Sequence, residues 1–167
     1  MSENENTSSV AVFPASFDPL TNGHLDLVHR ALELFDQLYV AVAFNDTKNE
    51  TFSKQERVEM LEAVFGSEPR VEVTAFENLT VDFAKEIGAK VIIRGLRAMS
   101  DFEYEFEMAL MNKHLYPEIE TVFMMANQKF LYISSSRLKE LVRLGRAVDQ
   151  FVPAVVAKEL HRKLARD

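Results

Sequence analysis

The sequence predicts a doubly wound α/β fold of Rossmann-like type, a five-stranded parallel sheet with helices on both faces, and three observations carry that expectation. Apolar strand-like runs at 10 to 13, 38 to 44, 71 to 75, 90 to 93 and 120 to 125 alternate with helix-like stretches. Those stretches fall at 23 to 35, 54 to 65, 81 to 87, 101 to 115 and 135 to 144, with a last helix over 153 to 165. The 167 residues contain no internal repeat and no low-complexity linker, which suits one domain over 10 to 167.

The chain opens on Met1 to Ser9, polar and acidic without an apolar patch, which reads as a disordered tail and not a targeting segment. The first strand, Val10-Ala-Val-Phe13, runs into Pro14-Ala-Ser-Phe-Asp-Pro-Leu-Thr-Asn-Gly-His24 and then into a helix whose stripe is Leu25, Val28, Leu32 and Phe35, widened by Leu27, Ala31 and Leu34. Gly23 and His24 therefore stand in the first turn of a helix, where free backbone N–H groups favour an anion. Histidine donates to phosphate oxygen, glycine lets a ligand near the backbone, and Pro14 and Pro19 restrict the loop in advance. The plainer alternative is a histidine that only caps the helix.

Lys48 lies in a polar loop after the second strand and offers a mobile point charge. Ser53 with Glu56, and Ser100 with Glu103, have capping-box spacing and mark two helix starts. Arg94 leaves the end of the buried run Val91-Ile-Ile93, and Arg97 follows three residues later; a guanidinium fork there suits phosphate, or else pairs with Asp101 or Glu105. The helix after it is apolar on two stripes, Phe102, Phe106, Ala109 and Leu110 on one and Tyr104, Met108, Met111 and Leu115 on the other, which predicts core on one side and a subunit contact on the other. Ser134-Ser135-Ser136 gather hydroxyls at another helix start, ahead of the stripe Leu138, Leu141 and Val142.

A net charge of −7 argues against a broad nucleic-acid surface, which needs a basic face. Polyphosphate remains open if the cations Lys48, Arg94, Arg97, Lys129 and Arg137 converge. The absence of cysteine excludes disulfides and thiolate metal sites, and no apolar run has the length to cross a bilayer, so a cytoplasmic protein without membrane contact is expected.

Three separated segments, FPASFDPLTNGH (13 to 24), VIIRGLRAMSDFEYE (91 to 105) and YISSSRLKE (132 to 140), resemble the nucleotidyltransferase superfamily with its T/H-x-G-H element, and within it the bacterial phosphopantetheine adenylyltransferases. The resemblance runs across the chain beyond the first nine residues. It implies adenylyl transfer from ATP to phosphopantetheine, giving dephospho-coenzyme A and pyrophosphate, with Mg2+ bound mainly through ATP and a homohexameric assembly. It implies His24, Lys48, Ser16 and Arg94 as catalytic residues. ATP would meet Ser16, Phe17, His24, Gly95, Leu96, Arg97, Glu105 and the stretch Phe130, Leu131, Tyr132, Ile133, Ser134, Ser135, Ser136. The acceptor would meet Ser16, Lys48, Leu79, Thr80, Arg94 and Asn112. Ala15 stands where that family usually has glycine, so its Cβ either requires a negative φ or narrows the approach to the nucleotide. Rivals with the same elements are a nicotinate-mononucleotide adenylyltransferase, a cytidylyltransferase, and a nucleotide-binding regulator without turnover.

Overall fold

A computed structural model describes residues 8–44 and 50–165. Five parallel strands, β1 (Val10–Ala15), β2 (Gln37–Ala43), β3 (Val71–Phe76), β4 (Val91–Leu96) and β5 (Glu120–Met125), are ordered β3-β2-β1-β4-β5. The helices between and after them are α1 (Asn22–Ala31), α2 (Lys54–Phe65), α3 (Thr80–Glu86), α4 (Met99–Leu115), α5 (Ser135–Arg143) and α6 (Ala154–Leu164). Winding reverses between β1 and β4, which pair directly through Ala11–Val91 and Val12–Ile92. In such a sheet the crevice for a ligand opens beyond the carboxyl ends of these two strands.

Alternation along each strand divides the core. Ala11 and Phe13, Leu38, Val40 and Val42, and Ile93 face one layer with α1, α2, α5 and α6, through residues such as Val28, Leu61, Leu138 and Leu160. Val12, Ala41 and Ile92 face the other, against Val81, Phe83 and Ala84 of α3 and Ile119. Gly95 marks where α1 comes closest to the sheet, since a Cβ there would stand 2.5 Å from Leu27 Cδ1. Ser9 is bonded to the turn before β2 through Asp36, its N–H and hydroxyl both donating at 2.8 Å. The rest of the expected tail lies, up to Thr7, outside the described residues.

Several boundaries differ from expectation for physical reasons. β1 and β4 run further toward the crevice than the apolar runs, because the parallel ladders continue through Ala15–Val42 and Leu96–Met125; Arg94 and Gly95 therefore sit inside a strand, not beyond its end. The first helix stops at Ala31, so Leu34 leaves the apolar stripe and is exposed. Ser53 and Glu56 form the expected capping box. Ser100 and Glu103 do not: α4 begins after Ala98, which makes no side-chain cap, and the turn is organised by Asp101 accepting from the Arg97 N–H at 3.2 Å. α4 also lacks the expected core side, as none of its residues is buried; Phe102 rests on Phe123 of β5 at 5.7 Å, while Phe106 and Leu110 of the same stripe stay exposed.

Candidate active site

A cleft of about 1340 Å³ opens over the carboxyl ends of β1 and β4. Its floor is Pro14, Ala15, Arg94 and Gly95; the N-termini of α1 and α5 enter from one side, with Gly23, His24 and Ser134 to Ser136; α4 closes another with Glu105, Met108 and Asn112. The far arm reaches Leu79 and Thr80 at the start of α3. Two helix N-termini aimed into one cavity present free N–H groups and the positive ends of two macrodipoles.

His24 is fixed by its own helix start. Thr21 Oγ1 accepts from the His24 N–H at 3.3 Å, and the Thr21 N–H donates to His24 Nδ1 at 3.1 Å. This is a capping box with histidine in the place of glutamate. Because Nδ1 accepts, the proton of the neutral ring is on Nε2. The ring lies against Phe13 and Phe17, at centroid distances of 6.2 and 5.2 Å. Burial, and then the charges of Arg97 and Arg94, lower its pKa from 6.5 to about 4. At neutral pH His24 is therefore a hydrogen-bond donor without charge.

Both arginines are paired with acids of α4. Arg94 Nε and Nη2 donate to the two carboxylate oxygens of Glu105 at 2.7 and 2.6 Å, and Nη1 donates to the Pro14 carbonyl at 2.6 Å. Arg97 Nε and Nη2 donate to Asp101 at 3.3 and 3.4 Å, and Nη1 reaches the Ile133 carbonyl at 3.5 Å. The fork of Arg94 is held rigidly, and it keeps one N–H on each terminal nitrogen for another acceptor.

The structure gathers Ser16, His24, Leu79, Thr80, Arg94, Gly95, Arg97, Glu105, Asn112, Phe130, Ile133 and Ser134 to Ser136 around this cleft. It does not bring Phe17 and Leu96 to the lining, since both are buried in the core, nor Leu131 and Tyr132, which face solvent. Tyr132 packs its ring edge-on to Phe151. Lys129 and Arg137 do not line the cleft, so the convergence of cations is narrower than expected, and Lys48 lies outside the described residues. Ser134 is the N-cap of α5, accepting from the Arg137 N–H at 3.3 Å. Ala15 keeps a strand backbone, and the left-handed φ of this loop falls on Phe17, at 46°. Gly23 makes room for protein as well as ligand, because a Cβ there would lie 3.3 Å from Phe130 Cβ.

Two residues about the site escaped sequence reasoning, as did the part played by a third: Thr21, the first residue of the T/H-x-G-H element, holds the His24 ring. Asp18 and Arg57 are buried charges behind the cleft. An arginine on the apolar face of α2, one turn before Leu61, was a visible anomaly.

Comparison with known proteins fits this geometry. The cytidylyltransferase-like family matches residues 12–141. The phosphopantetheine adenylyltransferase of Leptospira biflexa serovar Patoc is 50% identical over 157 residues, covering 94% of this chain and 98% of that protein. That of Desulforudis audaxviator is 53% identical over 154 residues, covering 92% and 94%. Among solved structures, a putative nicotinate-nucleotide adenylyltransferase from Vibrio parahaemolyticus superposes with a TM-score of 0.70 at 15% identity, covering 92% of this chain and 98% of that one, and so shares the fold. On sequence and architecture together, the chain belongs to the phosphopantetheine adenylyltransferases within the cytidylyltransferase-like family.

Proposed function

We infer that this protein is an enzyme of coenzyme A biosynthesis, which transfers the adenylyl group of ATP to phosphopantetheine, giving dephospho-coenzyme A and pyrophosphate. Relatives of that name at about half identity over nearly the whole chain support it. The observation that carries the mechanism is the convergence of a neutral Nε2–H donor, two guanidinium groups and two helix N-termini on one cleft.

The acceptor arrives as a phosphate anion, so the attack on the α-phosphorus needs no protein nucleophile. The protein positions two polyanions that repel each other and stabilises charge on the five-coordinate phosphorus. His24 Nε2–H donates to an α-phosphate oxygen. Arg94, steadied by Glu105 and the Pro14 carbonyl, faces the acceptor phosphate; Ser16 and Lys48 orient that phosphate. Arg97 and the first turn of α5 take the triphosphate, with Phe130 and Ile133 beside the nucleoside. Leu79, Thr80 and Asn112, in the far arm of the cleft, take the pantetheine. Glu105, expected to meet ATP, accepts one bond from Arg94 on each carboxylate oxygen and keeps acceptor capacity on both for a nucleotide hydroxyl or amine.

Magnesium enters with ATP. Triphosphate oxygens and water would hold it, and it would neutralise the departing pyrophosphate; among the described residues no three carboxylate or imidazole side chains gather at one place. The exposed apolar residues of α4 suit a subunit contact, and we assign them to the homohexamer. No helix among the described residues is long and apolar enough to cross a membrane; the site of action is proposed to be cytoplasmic, on small molecules.

Incubation with magnesium and ATP plus phosphopantetheine or nicotinate mononucleotide, and with magnesium and CTP plus phosphocholine, with pyrophosphate followed, tests the reaction. Release is expected with phosphopantetheine alone. Release with another acceptor and none with phosphopantetheine would overturn the assignment, as would tight ATP binding without any release.

A further inference from the structure

Asp18 and Lys139 form a charged pair inside the protein, and the proposed reaction uses neither. Asp18 lies two residues beyond Ser16 and is 5% exposed. Its oxygens accept from the Thr51 N–H at 3.1 and 3.0 Å, from the Phe52 N–H at 2.8 Å and from Lys139 Nζ at 2.5 Å. Burial pushes the carboxyl pKa up, but the Lys139 bond and the two backbone N–H groups outweigh it and hold the group below its ordinary value.

Those bonds join three stretches far apart in sequence: the turn from Ser16 to Thr21, the entry to α2, and α5 one turn beyond its cleft-lining serines. Ser135 Oγ donates to the Pro19 carbonyl at 2.8 Å, a second tie between the same turn and the same helix. On the other flank the fully buried Arg57 donates to the Ser16 carbonyl at 2.9 Å and pairs with Glu50. The cleft-facing ends of these ties are Ser16, His24 and the serines at 134 to 136. Desolvating two charges offsets most of their attraction, so a buried pair contributes defined geometry more than net stability.

We propose that Asp18, through its pair with Lys139, is a positioning residue that keeps the turn bearing Ser16 and the first turn of α5 at one separation, so that groups from both reach a single polyphosphate. Its kinetic consequence rests on the adenylyl-transfer reading, and displacements near 1 Å cost about a hundredfold in rate.

Lys139→Met and Asp18→Asn, each assayed well below its own melting temperature, test this. The expected result is a fall in kcat of about ten- to a hundredfold, with the acceptor KM changed less than about threefold, and recovery of most of the loss in Lys139→Arg. A purely stabilising role would lower the melting temperature and leave kcat intact, so turnover within about twofold of wild type in folded Lys139→Met overturns the proposal. If Asp18→Asn does not fold, Lys139→Met decides, since it leaves both backbone bonds to Asp18 in place. If the wild-type protein shows no adenylyl transfer, the reaction is wrong, and amide exchange judges the positioning role separately. At Thr21, Arg137 and Leu138, whose N–H groups are bonded to His24 Nδ1, Ser134 Oγ and the Ser134 carbonyl, exchange should quicken about tenfold in Lys139→Met, and unchanged exchange there overturns it.

Discussion

The two walls of the cleft are built on opposite principles. On the wall of α1 and α5, every polar group named has a partner in the same chain: Thr21 holds His24 three residues away, while Asp18 to Lys139 and Ser135 to Pro19 span 121 and 116 residues. Their helices bury Leu27, Val28, Leu138 and Val142. The opposite wall is α4, seventeen residues without one buried side chain, exposing Tyr104, Met108, Leu110 and Met111 among others. The first wall is complete within one chain. The second supplies Glu105 and Asp101 to hold the arginines, yet leaves apolar area uncovered, where each large side chain gains about 1.5–3 kcal/mol on full burial. Precision in the first wall is intramolecular, whereas the second leaves an apolar face for the proposed subunit contact.

The sharpest way to break this contrast is at His24. In His24→Ala, kcat should fall about a hundred- to a thousandfold, the loss typical of removing one donor to a transition state, with little change in assembly. Near-normal turnover would place the chemistry elsewhere. Next comes Leu110→Glu on α4, 56% exposed and outside the cleft lining. It should leave the secondary structure unchanged by circular dichroism and shift sedimentation velocity toward the single chain; sedimentation identical to wild type would mean that this apolar wall is not a subunit contact.

The smallest expected effect is an absence of change with pH. His24 has its pKa lowered to about 4, so the folded protein keeps it neutral where an ordinary histidine, near 6.5, takes up a proton. The unfolded chain binds that proton first, so His24 leaves stability untouched above about 6.5 and weakens it progressively as pH falls from 6.5 toward 4. The His24 ring nitrogens, followed by NMR, should show the Nε2-protonated neutral form at pH 7. A midpoint near 6.5 would contradict the lowering by burial and the two arginines, and a proton on Nδ1 at pH 7 would remove the Nε2 donor from the mechanism.

The features legible in the sequence were those set by local chemistry. Each strand is marked by its apolar run, and His24 and Ser134 to Ser136 by their places at helix starts, because periodicity and capping are encoded within a few residues. Strand ends were less legible: Arg94 and Gly95 lie within β4 because β5 continues beside them. Partners 80 to 121 residues apart were invisible, as with Arg94 to Pro14 and Asp18 to Lys139. Ser100 illustrates the converse, a good local capping signal displaced by the Arg97–Asp101 contact. The arginines were legible from their place after an apolar strand, with phosphate or the acids Asp101 and Glu105 as alternative partners; the fold shows that Arg94 pairs with Glu105 and Arg97 with Asp101 while both guanidinium groups still line the cleft.

The central claim is that this cleft positions two bound anions for direct attack on the α-phosphorus. The stereochemical course with adenosine 5′-O-(1-thiotriphosphate) of known configuration and phosphopantetheine tests it most directly. A single in-line displacement inverts configuration at that phosphorus, which is the expected result. Retention would require two displacements through an adenylylated side chain and would contradict the account.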